Sequence, residues 1–198
     1  MKVHEINIKN IFIVAIFSSF LCAEMSFTAG VNYGGVTYNK KISEHMYITN
    51  GIGFSGTLEK SIGPVMLGAG YLQQSYTENF NSQDNENSIF KNTVSASYIT
   101  GHVIYPYEIN RFRFWGGLQF GQCISGKMVR TENQIDVEIT MESGDYKIDY
   151  GFLLGTDFMF TDYIGSRFSY YYGIAKILKE DVELDIDETN LNVMNIGV

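Results

Sequence analysis

The sequence predicts an antiparallel, up-and-down barrel of eight strands, and three observations predict it. Apolar and polar residues alternate with a period of two in eight separate runs, the mark of a strand with unlike faces. The links between these runs alternate short and long along the chain. The face opposite the apolar one carries Gly, Ser, Asn and Gln with isolated charges, which suits a crowded, closed interior. Composition narrows the class further. A length of 198 residues fits one domain. With 45% hydrophobic and 15% aromatic residues, the chain can bury or shelter too much apolar surface to stay disordered. Two cysteines cannot build a disulfide framework. With 14 basic against 22 acidic residues, a net charge of −8, nucleic acid is not an expected partner, because phosphate binding needs clustered Lys and Arg.

The chain starts with a segment of a different kind. Lys2 and Lys9 precede an apolar run, IFIVAIFSSFLC, which ends at Ala23. A basic start, a short apolar core and a small residue at the cut describe a secretory signal peptide over residues 1–23. An uncleaved anchor helix would need about 20 apolar residues, and the run is shorter. A lipid-modified Cys22 would need a small residue before it, where Leu21 stands. Cleavage after Ala23 removes Lys2, Lys9 and Glu5 and leaves Cys123 as the one cysteine of residues 24–198, the expected barrel domain.

The eight runs follow in order. Phe27, Ala29, Val31 and Tyr33 alternate with Thr28, Gly30, Asn32 and Gly34. Ile48, Ile52, Phe54 and Leu58 oppose Thr49, Gly51, Gly53, Ser55 and Thr57. Val65, Leu67, Ala69 and Tyr71 oppose Gly68, Gly70 and Gln74. The fourth run sets Val94, Ala96 and Tyr98 against Ser95 and Ser97. The fifth sets Phe112, Phe114, Leu118 and Phe120 against Arg113, Trp115, Gln119 and Gly121. The sixth sets Tyr150, Phe152, Leu154, Phe158 and Phe160 against Asp149, Gly151, Gly155 and Asp157. The seventh sets Ile164, Phe168, Tyr170 and Tyr172 against Arg167 and Ser169, and the eighth sets Met194, Ile196 and Val198 against Asn195 and Gly197. Residues 59–64, 105–111 and 161–163 read as short links; residues 39–46, 78–92, 126–147 and 175–188 read as long polar ones. One end of the barrel therefore carries tight turns and the other four long loops.

A soluble sandwich or a lipocalin-like cup would show Lys, Glu and Thr on its wet faces. Here the polar faces are small, and Tyr105, Tyr107, Phe112, Phe160, Tyr163 and Tyr170 gather near strand ends, as in the aromatic girdles of a transmembrane barrel. Runs of about 9–11 residues cross a bilayer when tilted, and closure removes the edges that lipid would not tolerate. The stretches RFRFWGGLQFG (111–121) and DYGFLLGTDFMFTDYIGSRFSYYYGI (149–174), with the leader, resemble the small outer-membrane β-barrels of Gram-negative bacteria, the OmpA/OmpX-like "porin family" domain. The resemblance implies an outer-membrane location, insertion by the barrel-assembly machinery, and contact with membrane lipids and lipopolysaccharide. It implies a non-enzymatic structural or surface-interaction role through long extracellular loops, with an unidentified host or extracellular ligand. A small pore for ions or solutes is the alternative, and a lipid-modifying enzyme a third. Such barrels usually end on an aromatic residue, whereas this sequence ends NVMNIGV.

Candidate chemistry is sparse. Arg113, Asp157 and Arg167 fall on the polar faces of three successive runs, which predicts an ion-pair network in the lumen. Asp181, Glu183, Asp185 and Asp187 alternate with Val182, Leu184 and Ile186, as a last strand extended beyond the membrane would, and QIDVEIT (134–140) alternates likewise. Together they suggest an acidic ribbon outside the cell. Acidic loops are a common setting for divalent cations, but the spacing matches no calcium-loop pattern, so no metal or cofactor is expected. Ser97 and His102 differ by five positions and fall on opposite faces, so no catalytic residue is assigned; His102 is expected at a strand end near Pro106. Cys123 reads as buried filler near the outer end of the fifth run.

Overall fold

Period-two alternation without a hydrophobic core partner leaves the apolar face with one stable destination, a lipid layer, and the chain folds accordingly. The computed structural model describes residues 25–38, 46–81, 89–132, 135–141, 148–175 and 189–198. The leader over 1–23 and the acidic run Asp181–Asp187 lie outside the described residues. The described residues form nine strands: β1 (Met25–Tyr38), β2 (Met46–Ile62), β3 (Val65–Asn81), β4 (Ile89–Ile109), β5 (Phe112–Glu132), β6 (Ile135–Met141), β7 (Asp149–Met159), β8 (Gly165–Gly173) and β9 (Thr189–Gly197). All pairings are antiparallel. The order β4-β3-β2-β1-β9-β8-β7-β5 closes through β4–β5, so eight strands form the ring. The ninth, β6, pairs with residues 126–132 of β5, above the stretch 112–121 where β7 pairs. The expected eight-stranded barrel is present, and β6, which carries the alternating residues from Ile135 on, adds a ribbon to it.

The turns are tighter than the sequence suggested. Strand pairing runs through Glu59–Lys60 and through Pro106, leaving two-residue turns at 63–64 and 110–111. Gly63 and Asn110 have φ values of 59° and 55°, a left-handed conformation that glycine adopts freely and asparagine tolerates. The segment 126–147 is likewise no simple loop, since β5 continues to Glu132 and β6 follows.

The outward faces carry the apolar belt. Phe27, Ile52, Phe54, Val103, Leu118, Phe120, Phe152, Leu154, Phe168 and Ile196 are all exposed. Among the described residues no helix is long and apolar enough to cross a membrane; the crossing is made by strands. The belt has a definite upper edge. On β3 the outward residues Val65, Leu67, Ala69 and Tyr71 give way to Gln73, Ser75 and Thr77. On β4 the exposed Val103 and Ile99 give way to Ser97, Ser95, Thr93 and Lys91. Tyr71, at this edge, sends its hydroxyl to the Ser97 Oγ at 2.9 Å, with its ring in the apolar layer and its tip in the wet one.

Above that edge the faces exchange roles, which corrects the reading of the fourth run. Val94, Ala96 and Tyr98 are buried and point inward, while Ser95 and Ser97 point out. Here water lies outside the wall, so the apolar side must turn in. Ala96 and Tyr98, with Leu72, Cys123 and the half-buried Tyr76, belong to a core inside the upper barrel. A β-bulge marks the transition: Tyr98 pairs with Cys123 and Ser97 with Ser125, leaving Ile124 as the extra residue. β3 has 17 residues and β4 and β5 have 21 each, where about 9–11 suffice to cross the bilayer. About ten residues of β4 and β5, roughly 30 Å of strand, therefore stand above the belt.

Candidate functional site

The lumen site is built by parity. On β5 the inward residues include Arg113, Trp115 and Gln119; on β7, Asp157; on β8, Arg167; on β2, Glu59; on β4, His102. Register aligns them from strand to strand: Arg113 pairs with Asp157, and Asp157 with Arg167. The structure thus brings together the three charges the sequence singled out, and adds Glu59, Trp115 and His102 to them.

Arg167 is the centre. Its Nε and Nη2 donate to the two carboxylate oxygens of Asp157 at 2.7 and 2.9 Å. Its Nη1 and Nη2 donate to the two oxygens of Glu59. β8 and β2 are separated in the ring by β9 and β1, so this guanidinium bridges across the lumen. Trp115 donates its indole N–H to Asp157 Oδ1 at 3.1 Å, and the Arg167 guanidinium lies 5.0 Å from the Trp115 ring centroid, a cation–π contact. A Cβ on Gly155 would meet the Trp115 ring, so only glycine leaves room for the indole there. His102 Nε2 donates to Glu59 Oε1 at 2.8 Å. Arg113 stands at the rim: its Nε donates to Glu108 at 2.9 Å, and its Nη1 is 3.7 Å from Asp157. Glu59, His102 and Asp157 are buried. Buried charges persist when paired and hydrogen-bonded, and here two carboxylates share one guanidinium with further donors on each.

This layer separates two spaces. Toward the short turns is an open vestibule of about 670 Å³, lined by Ser26, Met66, Arg113, Asp162 and Tyr163 among others. On the other side is a cavity of about 50 Å³ lined by Thr57, Thr100, His102, Gln119, Tyr171 and Asn195. Glu59 and Arg167 border both spaces. Thr57 Oγ1, His102 Nδ1 and Asn195 Oδ1 are buried without a protein partner, and a polar space of this size has room for a few waters. The chemistry of the layer is that of a plug: opposite charges locked together across a narrow lumen.

His102 corrects the sequence expectation. It is not at a strand end; β4 continues to Ile109, and the imidazole is committed to Glu59 inside the barrel. Ser97 faces out to Tyr71, on the opposite side from His102. Glu59 falls inside the 59–64 stretch that reads as a link, although stepping the polar face Ser55, Thr57 once more reaches it. Trp115 sits on the lumen face that its parity with Arg113 indicates, whereas Glu108, inside the 105–111 link, carries no sequence signal of its own. Among the described residues, no group of three or more His, Cys, Asp or Glu side chains is arranged to hold a metal ion. Cys123 is fully buried, and its thiol donates to the Ser125 carbonyl at 3.4 Å.

The upper ribbon is the second candidate. On β6, Asp136 accepts from Thr131 Oγ1 at 2.7 Å and Glu138 pairs with Lys127 Nζ at 2.8 Å, both across to β5. Ile135, Val137 and Ile139 occupy the alternate positions and are exposed.

Comparison with known proteins places this geometry. The family described as "Outer membrane protein beta-barrel domain" matches residues 21–179. No curated protein sequence matches the chain. Among solved structures, the chain is similar to neisserial surface protein A, with 13% identity and a TM-score of 0.50 over 88% of this chain and 96% of that one. It is also similar to Ail, the attachment invasion locus protein of Yersinia pestis, with 13% identity and a TM-score of 0.51 over 88% and 95%. At this identity the likeness is one of fold.

Proposed function

The chain belongs to the outer membrane protein beta-barrel domain family, and from that premise we propose that it is a closed, non-enzymatic barrel of the outer membrane whose work is done at its long-stranded end. The observation that carries the reading is the pairing of a plugged lumen with a tall wall: Arg167 is bound to both Glu59 and Asp157, while β4 and β5 stand about ten residues above the lipid belt. In bacterial barrels the short turns face the periplasm and the long connections the outside, so the ribbon of β5 and β6 is displayed to the surroundings. Function concentrates on such projections when a rigid scaffold holds them. The acidic run Asp181–Asp187 belongs to the same end by sequence. A leader over residues 1–23, removed on export, and insertion by the assembly machinery bring the barrel to a bilayer of phospholipid and lipopolysaccharide.

The enzymatic reading has the geometry of His102 against it: among the described residues no hydroxyl or thiol is hydrogen-bonded to the imidazole, whose Nε2 is held by Glu59 and whose Nδ1 has no protein partner. The pore reading has the vestibule in its favour and the plug against it. Planar-bilayer recording separates them. The wild-type barrel is expected to give no discrete conductance steps, and a steady open channel would make the lumen, not the ribbon, the working part.

A further inference from the structure

A cleft of about 310 Å³ opens between two neighbouring turns at the periplasmic rim, the β4–β5 turn and the β7–β8 turn. Its lining includes Glu108, Arg111, Phe112, Arg113, Phe160 and Asp162. The arrangement of charge is unusual. Arg113 is satisfied by Glu108. Arg111 and Asp162 are exposed and make no ion pair with one another or with any other described residue. The cleft thus offers one free guanidinium and one free carboxylate, and is balanced in charge overall.

Its height in the membrane is fixed by the aromatic residues beside it. Phe112 and Phe158 are 4.9 Å apart, Phe158 and Phe160 5.3 Å, and Phe112 and Phe114 6.1 Å, a ladder on the outward face of β5 and β7. Aromatic girdles of this kind sit at the boundary between hydrocarbon and headgroups. Arg111 is one residue past Phe112 and Asp162 two past Phe160, so both charges lie in the headgroup layer of the periplasmic leaflet. A cleft of this volume has room for a phosphate and a short amine arm.

We propose that this cleft binds the headgroup of a zwitterionic phospholipid bearing a primary ammonium, a phosphatidylethanolamine. The Arg111 guanidinium takes the phosphate through its planar fork of donors. The Asp162 carboxylate accepts hydrogen bonds from the ammonium, which a quaternary choline cannot donate. Phe112 and Phe160 flank the acyl chains. A net-neutral cleft selects a headgroup with both signs over a purely anionic one, whose extra charge Asp162 and Glu108 would repel.

The test is native mass spectrometry of the intact barrel released from bilayers holding equal parts of phosphatidylethanolamine, phosphatidylcholine and phosphatidylglycerol. The expected result is one retained phosphatidylethanolamine. Arg111→Gln should lower retention of phospholipid about fivefold, the scale of an exposed ion pair. Asp162→Asn should keep retention but remove the preference for ethanolamine over choline. Both are turn residues, and a band that still shifts on boiling shows that each variant is folded. Equal retention of the three lipids, a preference for phosphatidylglycerol, or indifference to both substitutions would overturn the proposal. So would displacement of the lipid by millimolar free phosphoethanolamine, which would mark a site for a soluble phosphate compound instead.

Discussion

Arg167→Met is expected to destabilise the barrel by about 3–5 kcal/mol, because it strands two buried carboxylates at once. Glu59 would keep His102, and Asp157 would keep Trp115, but neither of those donors replaces a guanidinium bound through both oxygens of each acid. Urea titration of the folded band in lipid vesicles measures the loss. The companion experiment removes the charges together. Glu59→Gln, Asp157→Asn and Arg167→Met in one chain should recover most of the stability, since a neutral layer costs little to bury compared with an unpaired charge. A single substitution as mild as an exposed surface change would show that water reaches the layer freely and that it is no plug.

The second large effect is on the opposite face of the same wall. Leu118→Arg is expected to cost about 2–4 kcal/mol in a bilayer, the depth-dependent penalty for a cation near the midplane of a lipid-facing strand. Leu118 pairs with Val103 on one side and Phe152 on the other, all three exposed and apolar, so it stands in the middle of the belt. Ser95→Arg, on the outward face of β4 above the belt, should stay within about 0.5 kcal/mol. Equal costs at the two positions would mean the apolar edge seen on β3 and β4 is not the membrane boundary.

The architecture was legible because a barrel wall repeats one rule. Wherever lipid lies outside and a polar lumen inside, period two fixes every side chain, and parity alone put Arg113, Asp157 and Arg167 on the polar faces of adjacent strands, while their common height comes from the strand register. The rule failed where its premise failed. Above the belt, water replaces lipid, so Val94, Ala96 and Tyr98 turn in and a sequence pattern identical in kind takes the opposite orientation. Turn length was the other blind spot. Glu-Lys-Ser-Ile-Gly-Pro looks like a loop by composition, but a left-handed Gly63 lets the turn close in two residues, and Glu59 is thereby drawn into the lumen. His102 was displaced for the same reason, since pairing continues through Pro106 to Ile109. Contacts between distant strands, such as Arg167 with Glu59, depend on how the ring closes, which no local pattern encodes. The ribbon was visible in 134–140; its acidic counterpart at 180–188 lies outside the described residues.

The central claim is that one wall meets lipid below and water above, with its faces exchanging character at the edge. The most direct measurement is a spin-label scan along β4 and β5 in bilayers, reading collision with oxygen, which favours lipid, against a nickel chelate, which favours water. Labels at 114, 118 and 120 on β5 and at 99 and 103 on β4 should collide with oxygen and be sheltered from nickel. Labels at 93, 95 and 97 should collide with nickel, while 94, 96 and 98 collide with neither. Oxygen contact at 94, 96 and 98, or nickel contact at 114, 118 and 120, would contradict it.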